Sequence, residues 1–380
     1  MNILIIRNSA DKVNINSYNL QEIGIARALI KKGHNCDIVY YTDSKCMEYE
    51  YINIGDKKIT IYWCPAIKIL NNAIYIELFK NKFLSKYDVV QTSEYNQIMT
   101  YLLSKFQDKP VVLYHGPYKD LRIKKLNKLY DKLFLKSICK NIKFVISKSV
   151  LSEDYLLKKG LTNISTVGVG LDIDRFNFLI EEIDIYSELD INKNTRILLY
   201  VGRLEERRNI KFILDVFKST LDKEKDQDIK LLLIGDGNKE DKKLYFSYAE
   251  KLGIMGNIIY LQKIQQSKLR YVYEISDVFL LPTKYEIFGM VLLESMYFGL
   301  PVITSRNGGS LTIIENQVNG IVIDEFDINV WSNYIIKILR DDNFKKKLSL
   351  NASNTIKGNY TWDILIDKYI AIYNSSIGNI

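Results

Sequence analysis

Short apolar runs recur along this chain with helix-sized gaps between them. Ile3–Ile6 opens the series, and strands are predicted at Cys36–Tyr41, Ile59–Trp63, Val89–Thr92, Val111–Tyr114 and Phe144–Ile146. After the first run, Leu20, Ile23, Ala26, Leu29 and Ile30 fall at helical spacing within Tyr18–Lys32, and Gly33 stops that helix. Strands separated by helices predict βαβ units and a parallel sheet. The pattern restarts at Arg196–Val201, followed by a helix at Ile210–Phe217 and strands at Leu231–Ile234, Ile258–Leu261, Val278–Leu281, Val302–Thr304 and Ile321–Ile323. Two doubly wound units predict two parallel sheets facing each other, with the boundary in the less regular stretch 176–194. Open α/β sheets bind ligands beyond the carboxyl ends of their strands. The chemistry is therefore expected in loops that come after strands, on faces that look into a cleft.

Length agrees with two domains, since 380 residues exceed one ordinary core. The balance of 47% hydrophobic and 26% charged residues is that of a folded globular chain. No apolar run reaches the roughly 18 residues a membrane span needs. The opening Met1–Arg7 reads as a buried first strand: it lacks a basic start and a long apolar region. The four cysteines, Cys36, Cys46, Cys64 and Cys139, are dispersed, and there are only two histidines, so no zinc site is expected. Few, scattered cysteines suit a reducing cytoplasm. The net charge of +8 leaves nucleic acid, an anionic membrane and phosphorylated substrates open.

The segment Lys284–Glu294 carries the most chemistry. It comes after the strand Val278–Leu281 and the Pro282 turn, and it opens a helix. Glu286 sits just before the helix start, where the amides of Phe288 and Gly289 are free donors for an anion or a sugar hydroxyl. Glu294 lies about two helical turns further on. Two such carboxylates can accept hydrogen bonds from the hydroxyls of one ligand. Alone, the pair reads more readily as one capping and one surface glutamate.

In its surroundings the segment resembles the E-x7-E motif of the retaining family 4 glycosyltransferases of GT-B fold. Upstream, Val201-Gly202-Arg203-Leu204 and Arg207-Arg208-Asn209-Ile210 resemble that family's G-R-L and K-G/N segment. Leu232–Gly237 resembles its strand and G-x-G turn, and Ser276–Pro282 the strand leading into the motif. Gly299-Leu300-Pro301, Gly308-Gly309, Glu315 and Val318-Asn319-Gly320 resemble the family's segments downstream of the motif. In the first half Gly33-His34, Tyr114-His115-Gly116, Ser147 and Val167–Phe176 fit as well. The resemblance covers nearly the whole chain and is most specific after residue 190. It implies an α/β GT-B fold: two Rossmann-like domains, 1–180 for the acceptor and 190–360 for the nucleotide sugar, and a helix from 361–380 that crosses back to the first.

The resemblance also implies roles. Arg203 and Arg208 would stabilise the diphosphate leaving group in place of a metal. Arg208 stands where the family usually has lysine, and it keeps the charge with a bidentate grip; Arg207 could substitute for it. Glu286 would lie near the donor sugar and Glu294 on the ribose hydroxyls, with Phe288 and Gly289 donating to the donor. Ile287 replaces the glycine often found there. Gly202, Gly235 and Lys263 would edge the nucleotide. Asn16-Ser17 occupies the place of the Gly-Gly that approaches the diphosphate, and both residues tolerate turn conformations. His115, at a βα turn, would reach the donor sugar or the acceptor, whereas His34 belongs to a helix-to-strand turn.

The resemblance implies no cofactor and no metal, a nucleotide-sugar donor, a glycan, lipid-linked or protein acceptor, and a cytoplasmic location. The sugar, base and acceptor are not readable. Other classes remain: a non-catalytic GT-B partner subunit, or another GT-B enzyme such as an epimerase or a phosphorylase. The Glu286, Glu294 and Arg203 set speaks against the first, and the lack of a recognisable pyridoxal lysine against a phosphorylase. Nucleic-acid binding has the charge but no recognised module. Finally, lysines recur every fourth residue from Lys124 to Lys140, among Leu126, Leu129 and Leu133. That pattern predicts a basic amphipathic helix over 120–143, suited to an anionic membrane or to an ordinary solvated face.

Overall fold

The computed structural model describes residues 1–17, 20–120, 124–176 and 183–378. The chain divides into two compact units, Met1–Leu171 with Thr361–Ile380, and Asp172–Tyr360.

In the first unit the strands are β1 (Asn2–Ile6), β2 (Asn35–Thr42), β3 (Glu48–Ile54), β4 (Lys57–Pro65), the small hairpin β5 (Ile67–Ile69) and β6 (Asn72–Ile74), then β7 (Val89–Ser93), β8 (Val111–His115), β9 (Phe144–Ser147) and β10 (Ile164–Thr166). One sheet runs β10-β9-β8-β7-β1-β2-β4-β3. Its central strands are covered on both faces, which is why they read as continuous apolar runs rather than alternations. Ile3–Ile6 is buried throughout, with Ile3 opposite both Cys36 and Val89.

The first sheet is parallel, as expected, except at one edge that the sequence did not announce. β3 pairs with β4 antiparallel and forms the edge. A two-residue loop, Gly55-Asp56, joins them, and Gly55 takes the positive φ of 58° that such tight hairpins require. The sequence of β3, Glu-Tyr-Glu-Tyr, has no buried run to announce it, and its first four residues are exposed. The first helix begins at Gln21, later than expected; Tyr18 and Asn19 lie outside the described residues.

The last helix, Trp362–Ile377, packs on the first unit. Trp362 fills the space that Gly24 and Gly170 leave open: a Cβ on either would come within 2.1 or 2.4 Å of its indole. Tyr373, fully buried, donates from its hydroxyl to Gln91 Oε1 at 2.6 Å.

The second unit contains β11 (Arg196–Val201), β12 (Ile229–Ile234), β13 (Ile258–Leu261), β14 (Val278–Leu281), β15 (Val302–Ser305) and β16 (Ile321–Ile323). They form one sheet in the order β13-β12-β11-β14-β15-β16, parallel throughout. Leu198, Tyr200, Leu231, Leu233, Val278 and Ile303 pack with Phe217 and Trp331 of the covering helices into one core. Within the expected boundary stretch, 177–182 lie outside the described residues and Ile185–Glu188 is a short helix.

The basic segment is helical in three pieces, Lys124–Tyr130, a π turn at Asp131–Leu135, and Lys136–Asn141. Among the described residues no helix is long and apolar enough to cross a membrane.

Candidate active site

In the second unit, four neighbouring strands deliver their carboxyl ends to one edge of the sheet. Gly202 comes directly after β11 and Gly235 after β12. Their backbones nearly touch: a Cβ on Gly235 would lie 1.8 Å from the Gly202 carbonyl oxygen, and one on Gly237 would lie 2.4 Å from that of Leu204. The Gly202 amide donates to Ile234 O at 2.9 Å and the Leu204 amide to Asp236 O at 2.8 Å. The two glycine-rich loops are thus one backbone-on-backbone layer, which explains why the sequence carries glycine there. Asn209, at the head of the helix Ile210–Lys223, holds φ at 59°, a left-handed value that asparagine tolerates.

The Glu286 loop lies between β14 and β15. Thr283 Oγ1 donates to the Tyr285 and Arg207 carbonyls, and Ser305 Oγ donates to Thr283 O. The Gly308 amide donates to Glu286 O at 3.0 Å, and a Cβ on Gly309 would sit 1.6 Å from Phe288 O. Gly289 takes φ of 84° at the head of the helix Met290–Tyr297. The loop's backbone is therefore fixed from three sides. Against it lie the arginines: Arg208 Nη1 donates to Glu286 Oε2, and Arg207 Nη1 donates to Tyr285 O at 3.1 Å and lies 3.9 Å from the same carboxylate oxygen. Both Arg208 and Glu286 are largely shielded, at 14% and 13% side-chain exposure, so this pair is stronger than a surface ion pair.

The other residues singled out in this unit behave differently from one another. Arg203 is exposed and makes no ion pair among the described residues, while its carbonyl accepts from the Tyr200 hydroxyl at 2.7 Å. Lys263 is exposed. Phe288 is buried. Glu294 is buried too, and the Tyr273 hydroxyl donates to its Oε2 at 2.9 Å. Tyr273, stacked on Phe298, was not apparent from sequence; its position on the helix Gln266–Ile275 carries no motif. Asp236 is held down at about 2 by hydrogen bonds from Lys242, Gln262 and the Gly237 amide.

The first unit builds its corner from side chains. β7, β8 and β9 are neighbours, and Glu94, His115 and Lys148 stand at their carboxyl ends. His115 is fully buried. Its Nδ1 lies 2.5 Å from Glu94 Oε2, and Tyr155 and Tyr95 flank its ring, stacked and edge-on. Lys148 Nζ lies 3.4 Å from Glu94 Oε1, and the Gly116 amide donates to Oε2 at 3.2 Å. Burial raises the Glu94 carboxyl, but Lys148, His115 and the Gly116 amide outweigh it and hold the group at about 2. Glu94 adopts φ of 62°, a strained value for glutamate that the surrounding bonds enforce. With Nδ1 committed to Glu94, His115 Nε2 is the nitrogen left without a protein partner. Sequence reading missed Glu94 and Lys148. The rule that chemistry sits at strand ends, applied to β7 and β9 as well as β8, would have found both.

Asn16 and Ser17 lie in an exposed turn, where the Asn16 amide donates to Asn14 Oδ1 at 3.0 Å and the Ser17 amide to Asn14 O at 2.8 Å. Among the described residues no group of three or more His, Cys, Asp or Glu is placed to share a metal ion.

Known proteins resemble this chain in sequence over its second unit and in fold over its whole length. Residues 182–355 match the family described as glycosyl transferases group 1. An uncharacterized glycosyltransferase of Methanocaldococcus jannaschii is 24% identical over 370 residues, covering 90% of this chain and 91% of that one. The UDP-Gal:alpha-D-GlcNAc-diphosphoundecaprenol alpha-1,3-galactosyltransferase of Escherichia coli is 24% identical over 80% of this chain and 79% of that one. Over other curated relatives the chain spans about half the length, 48% of one and 52% of another. Among solved structures, Anabaena HepE in complex with UDP superposes with a TM-score of 0.76 at 15% identity, over 99% of this chain and 100% of that one, a likeness of fold. Residues 182–355 thus resemble the group 1 glycosyltransferases in sequence, and the chain as a whole has the GT-B fold of its solved neighbours.

Proposed function

We propose that this protein transfers a sugar from a UDP- or GDP-sugar to a glycan, lipid-linked or protein acceptor, with retention of anomeric configuration and without a metal. The observation that carries the reading is the shielded Arg208–Glu286 pair, set on loops whose backbone has no room to shift. A diphosphate is a stronger partner for a guanidinium than one carboxylate. On donor binding Arg208 turns from Glu286 to the phosphates, and Glu286 becomes free to accept from sugar hydroxyls. Arg203, exposed in the loop after β11, adds the second cation. As the anomeric C–O bond breaks, its electron pair passes to the departing phosphate oxygen, where both arginines stabilise the charge. The acceptor oxygen attacks from the same face and its proton leaves with the phosphate.

Glu294 takes the ribose hydroxyls, oriented by Tyr273. The loop residues Gly202, Gly235, Lys263, Phe288 and Gly289 border the donor, and Asn16-Ser17 approaches its diphosphate. His115 offers Nε2 to a sugar or acceptor hydroxyl, because Glu94 fixes its ring through Nδ1. The name of the Escherichia coli relative states a UDP-sugar donor and a lipid-diphosphate acceptor, and HepE is described with bound UDP-glucose. Both support a UDP-sugar donor; we infer in addition a role in cell-surface glycan synthesis, on the cytoplasmic side and peripheral to the membrane.

A panel of UDP- and GDP-sugars, read by release of nucleoside diphosphate, tests the proposal. One donor should release its nucleotide well above the others, and faster with acceptor present. No release from any donor, together with no binding of UDP or GDP, would sink it.

A further inference from the structure

The helical segment 124–141 has two faces of different character. One is tied to the first unit's core. Ile138 is fully buried, the Phe134 ring lies 4.6 Å from that of Tyr101, and the Tyr130 hydroxyl donates to the Tyr95 and Gln97 carbonyls at 2.8 and 2.9 Å. Asp131, the segment's sole acidic residue, is held by Lys159 at 2.6 Å.

The other face is unpartnered. Leu126, Leu129 and Leu133 succeed one another at helical spacing and are 43%, 51% and 60% exposed. Lone exposed leucines are ordinary, but a stripe of them on one face is not. Around the stripe, Lys125, Lys128, Lys132, Lys136 and Lys140 are all exposed and form no ion pair among the described residues. The π turn keeps them together. A repeat of four leads a full α turn by about 40°. The wider turn at Asp131–Leu135 takes part of that lead back, so the lysines stay beside the leucines.

We propose that this face docks the protein on an anionic lipid bilayer, with the helix lying in the plane of the membrane. The three leucines enter the boundary between headgroups and acyl chains. The lysine stems lie along apolar surface while their ammonium groups stay on the lipid phosphates. Leucines distinguish this face from a nucleic-acid surface, where phosphate contact needs the charge alone and gains nothing from an apolar stripe. The inference stands independently of the donor chemistry, since it uses none of the residues that would hold the nucleotide.

Co-sedimentation of the full chain with vesicles of phosphatidylcholine, or of phosphatidylcholine with phosphatidylglycerol, tests it. The chain should bind the anionic vesicles and not the neutral ones, and salt should weaken binding. Two variants separate the parts, and both should keep the wild-type melting curve because the altered side chains are exposed. K128Q/K132Q should lower partitioning by roughly fivefold per lysine. L126S/L129S/L133S, with the charge untouched, should lower it by about tenfold or more. Three results would overturn the proposal: no binding to anionic vesicles, equal binding to both kinds, or a leucine variant that binds as wild type. A chain that ignores vesicles but retains a polyanion such as RNA would place the surface in another class.

Discussion

The loops after β11, β12, β14 and β15 and the His115 corner after β7, β8 and β9 both stand at strand ends of a parallel sheet, yet they are built by opposite means. In the second unit, glycines let backbone rest on backbone, with Gly235 against Gly202 and Gly309 against Phe288. The functional side chains are then few and are carried on a rigid support. In the first unit the support is itself made of side chains: Glu94, strained and ionised, is braced by Lys148 and braces His115. Backbone packing tolerates no side chain, whereas a side-chain brace responds to pH and to single-atom changes.

The largest effect should come from filling the backbone layer. Gly309→Ala places a methyl 1.6 Å from the Phe288 carbonyl oxygen, and Gly235→Ala adds an unfavourable φ of 146° to a clash at 1.8 Å. Each should cost about 3 kcal/mol or more, by overpacking and backbone strain, visible as a melting transition several degrees lower. Equal stability to wild type would mean that these loops are not locked.

Arg203→Ala should come next. With the exposed cation gone, turnover should fall about 10²-fold and donor affinity should weaken, because the ground-state diphosphate is already charged. Its exposure leaves stability unchanged, so an effect on melting rather than on turnover would argue for a structural role.

Glu94→Gln tests the contrasting brace. The folded-state group titrates at about 2, below the usual glutamate range, so its ionisation stabilises the fold above that range and the benefit fades as pH falls toward 2. The variant should be less stable than wild type by on the order of 2 kcal/mol at neutral pH, and the two should converge in acid. Turnover should drop with little change in donor KM, since the residue acts through His115. A stability gap independent of pH would remove the ionised brace from the account.

Tyr273→Phe should be the smallest change. It removes one hydrogen bond to buried Glu294, for about 1 kcal/mol. Donor KM should rise a few-fold while kcat holds. A wild-type KM would separate Glu294 from the nucleotide.

How far the sequence could be read tracks the same division. Continuous apolar runs gave away the buried parallel strands, because burial on both faces leaves no alternation to confuse. β3 escaped, since an edge strand reading Glu-Tyr-Glu-Tyr buries nothing at its start. The glycine-rich loops were legible because backbone-on-backbone packing demands one residue type, and each arginine and glutamate singled out lies close along the chain to a glycine of its own loop. Glu94, Lys148 and Tyr273 were not. Each meets its partner across strands or helices, and nothing in a local window says that Glu94 and His115 will touch. That Glu294 lies buried beside Tyr273 likewise depends on how its helix packs.

The central claim is that Arg208, held in reserve by Glu286, does for the leaving diphosphate what a metal would otherwise do. Nucleoside diphosphate release with the preferred donor, measured in excess EDTA for wild type and Arg208→Ala, tests it most directly. Wild type should retain its rate in chelator, and the variant should fall by about 10²-fold or more. A variant that turns over like wild type, or a wild type that stops in EDTA and recovers on added Mg²⁺ or Mn²⁺, would contradict it.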